Sequence, residues 1–205
     1  MTIHLHEGDL PAGLDLGAVI AVDTETMGLE PHRDRLCLVQ LSAGDGDAHL
    51  VRMARGARPF SAPRLASLMA ASDRLKIFHF ARFDVAVLKH WLDVDCAPIY
   101  CTKIASRLAR TYTDRHGLAD LTRELLGIEL SKAQQSSDWG GEELTEAQLE
   151  YAAADVLHLH ALRERLDDML AREGREVLAQ ACFDFLPQRA ALDLGGWREI
   201  DIFAH

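Results

Sequence analysis

Several things are missing from this chain, and each absence narrows what it can be. No apolar run approaches the roughly 20 residues needed to cross a bilayer, so a membrane span is not expected. The first residues, Met1-Thr2-Ile3-His4-Leu5-His6-Glu7, have no basic stretch leading into an apolar core, so no secretory leader is expected. Cysteine is sparse: Cys37, Cys96, Cys101 and Cys182 form no Cys-x-x-Cys pair. Free thiols in a reducing cytoplasm are therefore expected, rather than a disulfide framework or a structural zinc. Repeats, low-complexity runs and Gly/Ser linkers are absent, so one domain over residues 1–205 is the expectation. Positive charge is also short. Lys and Arg number 22 against 32 acids, a net charge of −10. That argues against holding long nucleic acid on a broad basic surface, where phosphate neutralisation supplies most of the affinity. A short nucleic acid offers few phosphates, and divalent cations can carry positive charge into a site.

What is present reads as an ordinary globular core, with 48% hydrophobic and 26% charged residues. Val19-Ile20-Ala21-Val22 is a β-branched run, read as a buried strand. Arg35 to Ser42 reads as a second strand, reached through a turn at Pro31 to Asp34, and Ala48 to Val51 as a third. A helix over Ala62–Ala71 follows, then a strand over Lys76–Phe80 and a helix over Phe83–Leu92. Ile99–Cys101 is a short strand and Lys103–Arg110 a helix. Gly117–Leu126 is helical in pattern and ends at Gly127. Residues 128–141 are polar and read as an ordered loop. Thr145 and Gln148 have capping-box spacing, which starts a long helix. A last helix over Arg175–Phe185 is expected to stop near Pro187. Strands first, then alternating strands and helices, indicate an α/β or α+β sheet domain. The segment 188–205 is rich in apolar residues, and either docks on its own domain or packs on a partner subunit.

Chemistry enters with five residues in three separated places. Asp23 and Glu25 are two apart at the end of the first strand, so their side chains share one face. Carboxylates there need a cation, a strong hydrogen-bond set or raised pKa values. Asp84 sits in the first turn of a helix, where its ordinary role is to complement the helix dipole. Tyr151 and Asp155 are four apart on a helix and so are neighbours. The Ala152-Ala153-Ala154 between them keeps that helix slim enough to approach a sheet closely. Each segment alone has an ordinary structural account.

Their order is that of the DEDD exonucleases. Val22-Asp23-Thr24-Glu25-Thr26 resembles the first motif of that family and Ile77 to Asp84 the second. Leu149-Glu150-Tyr151-Ala152-Ala153-Ala154-Asp155-Val156 resembles the third motif of ribonuclease D, and Ser136-Ser137-Asp138-Trp139 is similar too. The tyrosine belongs to the DEDDy subgroup; the histidine subgroup would need His at position 150, which is Glu. Over its full length the chain resembles the nano-RNase C proteins of alphaproteobacteria. Pro31 to Cys37, Cys101 to Ser106, Arg110 to Leu118 and Ile200 to His205 support this. About fifty residues follow Asp155, too few for the C-terminal HRDC-type helical domain of full ribonuclease D.

The resemblance implies a ribonuclease H-like α/β fold: a mixed sheet, three antiparallel strands then parallel ones, flanked by helices. It implies metal-dependent 3′–5′ exoribonuclease activity on short RNA, preferentially dinucleotides, releasing nucleoside 5′-monophosphates. Two divalent ions, Mg²⁺ or Mn²⁺, would be held by Asp23, Glu25, Asp84 and Asp155. Tyr151 would position the attacking water rather than act as a strong base, since an unperturbed phenol titrates near 10. Around the acids, the resemblance points to Thr24, Thr26, Gly28, Leu29, His79 and Phe83 as substrate contacts. A group for the substrate's 5′ phosphate would come from Lys103, Arg107, Arg110, Arg115, His116 or Lys132, with Gln135, Ser136 and Ser137 as neutral donors. A cytoplasmic homo-octamer is implied. DNA stays open as a substrate, because nothing here reads a 2′-hydroxyl. A broader ribonuclease D-like exonuclease on longer RNA, and an inactive nucleic-acid-binding module, are the alternatives.

Overall fold

A computed structural model describes residues 2–131 and 133–205. The candidate Lys132 lies outside the described residues. Six strands form one mixed sheet: β1 (Ile3–Glu7), β2 (Val19–Thr26), β3 (Leu36–Ser42), β4 (Ala48–Arg52), β5 (Leu75–Phe78) and β6 (Ile99–Cys101). Their order across the sheet is β1-β4-β3-β2-β5-β6. β2, β3 and β4 pair antiparallel, while β5 and β6 join β2 in parallel. β3 is buried at all seven positions, as a central strand should be, and β2 lies between it and β5. The expected mixed sheet is therefore present.

The helices are α1 (Pro63–Ala70), α2 (Ala81–Leu92), α3 (Thr102–Ala109), α4 (Leu118–Leu121), α5 (Glu146–Leu157), α6 (Leu159–Arg172) and α7 (Glu176–Leu192). α4 runs on into a wider turn over Thr122–Leu126, closed by Gly127 at φ 71°, a left-handed cap that glycine adopts without strain. α5 starts at the expected capping box: Thr145 accepts from the Gln148 N–H, and Gln148 Oε1 accepts from the Thr145 N–H. Its buried face, Gln148, Ala152, Ala153 and Val156, packs on β2, β3 and β4. α2 packs on α7 and reaches β2 and β3.

Four elements differ from the sequence reading. β1 pairs parallel with β4, although its Ile/His/Leu/His alternation is a readable strand signal. The strand expected through Phe80 ends at Phe78, because Phe80 takes φ 68°, outside the range of any strand. α2 consequently starts at Ala81. The long helix breaks at His158 into α5 and α6. α7 continues through Pro187, although proline removes one helical hydrogen bond. Phe183, Leu186 and Ala190, buried on either side of it, pack the helix against α2 and β6 and hold its course.

Beyond α7 the chain lies along its own fold as far as Arg198. Arg82 donates twice to the Asp193 carboxylate, at 2.6 and 2.8 Å, and Arg189 donates to it at 2.5 Å. Arg198 pairs with Glu30 at 2.5 Å. Among the described residues, no helix is long and apolar enough to cross a membrane, and the four cysteines are free.

Candidate active site

The pleat of β2 sets the site. Asp23 and Glu25 point to one face of the sheet, and Thr24 between them points to the other. α5 covers the first face and brings Asp155 with it. One carboxylate oxygen from each of Asp23, Glu25 and Asp155 lies within 4.8 Å of the others. On the opposite face, Thr24 donates from Oγ1 to Asp84 Oδ1 on α2 at 2.7 Å. Asp84 is buried beneath the group of three rather than being part of it. Gln40, opposite Asp23 on β3, reaches the Asp23 carboxylate only at 3.4 Å. Among the described residues, no Lys or Arg pairs with any of these four acids.

That concentration of charge raises every pKa in the group. Burial pushes Asp23 well up, and the charges of Asp84, Asp155 and Glu25 add to it. Burial, then the charges of Asp155 and Asp84, lift Glu25 to about 9. Asp84 rises to about 7 through burial, against the opposing pull of the Thr24 hydroxyl. Asp155 also rises to about 7 through burial, opposed by the Tyr151 hydroxyl. Tyr151 is itself pushed up by burial and by the charge of Asp155, so its phenol stays protonated at neutral pH. Asp23, Glu25 and Asp155 retain partial solvent contact at the floor of an open cleft. Hard oxygen donors, close together, without a cationic side chain and binding protons too tightly, are a donor set that fits a divalent cation.

The cleft encloses about 690 Å³ and collects most of the sequence-predicted residues. Thr24, Thr26, Gly28, Leu29, His79 and Phe83 line it, as do Lys103, Gln135, Ser136 and Ser137. Thr26 donates to the Gly28 carbonyl, which fixes the start of the β2–β3 turn. A β-carbon at Gly28 would collide with the Asp34 carboxylate, which would have to shift to admit it. Leu29 beyond it is 73% exposed at the rim. His79 Nδ1 bonds Thr102 Oγ1 at 2.9 Å, and burial, then the charge of Lys103, pushes it down to about 3. It is a neutral imidazole. Lys103 places Nζ 4.3 Å from the centre of the Phe80 ring.

The other phosphate candidates do not line the cleft. Arg110 is fully buried, paired with Glu124 and bonded to the Arg115 carbonyl, and serves the fold. His116 bonds Ser106 at 2.8 Å. Arg115 is exposed outside the lining, and Arg107 is outside it too. Sequence reasoning gave no role to Met27, Phe80 or Trp139, all of which line the cleft. Trp139 stands 6.1 Å from Tyr151, ring to ring. A readable signal for Trp139 was its place in the Ser136-to-Trp139 stretch. Phe80 gave none, since its left-handed backbone is not written in its residue type.

A sequence model described as 3′–5′ exonuclease matches residues 9–171. The chain belongs to the 3′–5′ exonuclease family. Among its relatives is the ribonuclease D of Gluconacetobacter diazotrophicus, 33% identical over 156 residues. That match covers 76% of this chain and 39% of the relative, so the chain spans well under half the length of such relatives. Solved structures extend the likeness across the whole exonuclease-family chain. A nuclease in its apo form is 59% identical with a TM-score of 0.96, covering 100% of this chain and 99% of that one. Brucella melitensis NrnC with bound Mg²⁺ is 53% identical with a TM-score of 0.95, covering 100% of both chains. The same protein bound to pGG is 54% identical with a TM-score of 0.95, covering 100% of this chain and 99% of that one.

Proposed function

We propose that this chain is a divalent-metal-dependent 3′–5′ exoribonuclease that acts by preference on dinucleotides and releases nucleoside 5′-monophosphates. The observation that carries the reading is the convergence of Asp23, Glu25 and Asp155 beside Tyr151 at the floor of the cleft. Asp23, Glu25, Asp84 and Asp155 are the residues that would hold two Mg²⁺ or Mn²⁺ ions; Brucella NrnC was solved with bound Mg²⁺. Such ions, when bound, polarise a phosphodiester, activate water and balance charge on the leaving oxygen.

The chain's own residues supply position. Thr24 fixes the orientation of the Asp84 carboxylate from beneath. Tyr151, kept protonated, donates a hydrogen bond that orients the attacking water. Neutral His79, tied through Nδ1 to Thr102, offers its other nitrogen to a sugar hydroxyl. Among the described residues, Lys103 is the cationic side chain of the cleft lining, and it serves a substrate phosphate. Gln135, Ser136 and Ser137 are neutral donors on the same wall. Leu29 and Met27 present apolar surface to the bases at the rim.

Preference for dinucleotides draws support from Brucella NrnC, which was solved bound to pGG. A broader action on longer RNA is the rival reading, favoured by the ribonuclease D relatives. Turnover of two-, three- and seven-nucleotide RNAs with equal end label, in Mg²⁺ and in EDTA, separates them. Dinucleotide is expected to turn over fastest, and EDTA to stop all three. Equal rates would overturn the length preference. Activity surviving chelation, or full turnover by Asp23→Ala, would overturn the metal mechanism. We also propose a homo-oligomer, since Val177 and Phe203 are 86% and 77% exposed. A monomer mass by light scattering would refute that.

A further inference from the structure

Behind the cleft wall lies a second cavity of about 350 Å³, which the proposed reaction does not use. Arg35, Arg52 and Arg55 line it, in a chain whose net charge is −10. Two of them converge on Gly140. Arg55 Nη2 donates to the Gly140 carbonyl at 2.6 Å. Arg35 Nη2 lies 3.3 Å from where a β-carbon on Gly140 would stand. Among the described residues, neither Arg35 nor Arg55 has a carboxylate partner, and Arg52 has only Glu7 at 3.7 Å.

Trp139 stands in the same wall. Trp139 is 5% exposed, and its indole Nε1 is buried without a partner. Buried indole N–H groups ordinarily find an acceptor. Trp139 lines both this cavity and the catalytic cleft. Three guanidinium groups ask for a ligand rich in acceptor oxygens, and the Trp139 ring gives it a flat wall. Guanidinium binds an oxyanion through two parallel hydrogen bonds, and a phosphate, with more oxygens and charge than a carboxylate, can engage several guanidinium groups at once.

We propose that this cavity binds a phosphate monoester of nucleotide size, with its phosphate on Arg35, Arg52 and Arg55 and its body against Trp139. The size argument is direct. A free phosphate ion is far smaller than the cavity, whose volume falls within the roughly 300–1,000 Å³ range of small-molecule sites. Cys37 and Met53 add apolar wall, and Glu142 offers the acceptor that a ribose hydroxyl needs. The site stands apart from the cleft chemistry and does not require the exonuclease reading. Because Trp139 is shared, its occupant would be sensed beside Tyr151.

The test titrates guanosine 5′-monophosphate, inorganic phosphate and guanosine into Asp23→Asn protein in EDTA, read by calorimetry. That background removes divalent cations from the cleft, and Arg35 and Arg55, which do not line the cleft, report on the cavity alone. The monophosphate is expected to bind at least tenfold more tightly than guanosine or phosphate. Arg35→Gln and Arg55→Glu should each weaken it at least tenfold, with folding checked by circular dichroism. No binding in that background, equal binding of guanosine, or unchanged binding by both variants would overturn the site. Phosphate binding as tightly as the monophosphate would overturn the nucleotide. Should Arg35→Gln fail to fold, Arg55→Glu decides, because the Arg55 side chain is exposed.

Discussion

Replacing Asp155 by Asn should stabilise the metal-free protein while removing its response to metal. The Asp155 carboxylate stands within 4.8 Å of those of Asp23 and Glu25. Where both are ionised, two unit charges at that separation repel by about 3.5 kcal/mol at an effective dielectric of 20 and by about 0.9 kcal/mol in bulk water, and at pH 8 the raised pKa of Glu25, about 9, leaves it only partly charged. One side of the cleft is open, so relief of about 1–3 kcal/mol lies between these limits. Asn keeps the size and an acceptor for the Tyr151 hydroxyl, which isolates the charge. For a chain of this length each kcal/mol moves the melting temperature by about 2–4 °C, so a rise of about 2–12 °C is expected in EDTA at pH 8.

The pH dependence has a definite sign. Glu25, Asp84 and Asp155 titrate higher in the folded chain than in the unfolded one, at about 9, 7 and 7. The unfolded state therefore releases its protons first, and metal-free stability falls as pH rises from about 4 through that range. The advantage of Asp155→Asn should be nearly full at pH 8 and vanish below about pH 3, where both states hold the proton. Mg²⁺ at about 1,000 times its Kd should reverse the order, since it adds about 4.1 kcal/mol to the protein that binds it. Thermal unfolding by circular dichroism across pH, with and without Mg²⁺, gives all these numbers. A variant less stable than the parent in EDTA at pH 8, or an advantage independent of pH, would refute the reasoning.

Thr24→Val removes the hydroxyl that holds the buried Asp84 carboxylate at 2.7 Å. A buried acceptor left short costs about 1–3 kcal/mol, so kcat/KM on a dinucleotide should fall about 5- to 150-fold; an unchanged value would remove Asp84 from the machinery. Tyr151→Phe should lower kcat about 100-fold with little change in KM, as for a positioned hydrogen-bond donor. Absorbance at 295 nm should show no Tyr151 phenolate below pH 10, and its appearance there would contradict the burial argument. Asp193→Ala strands Arg82 and Arg189, and should cost about 1–3 kcal/mol, after allowance for partial solvent screening. Urea unfolding with no change in midpoint would show that these ion pairs contribute nothing.

Local signals were legible wherever a residue type carries its own geometry. The capping box at Thr145 and Gln148 and the glycine stop at Gly127 stand where the spacing predicts them, because side chain or backbone freedom acts within one turn. Phe80 was not legible, since φ 68° is imposed by the passage from β5 into α2 and not by its side chain. Pro187 misled for the complementary reason: burial of its neighbours overrides one lost hydrogen bond. The basic candidates divided in the same way. Lys103 lies at the start of α3 and Arg110 just past its end, yet Lys103 lines the cleft and Arg110 is buried against Glu124.

The amino-acid sequence by itself determined the donor chemistry: two carboxylates on one strand face, a phenol and a carboxylate on one helix face, and too little positive charge for a broad nucleic-acid surface. Those relations depend only on the repeat of a strand or a helix. Only the tertiary structure decided that β2 and α5 meet, that Asp84 lies beneath the group rather than within it, and that every acid there is pushed upward. Desolvation and charge repulsion depend on distance through space, and more than a hundred residues of chain between Glu25 and Asp155 say nothing about that distance.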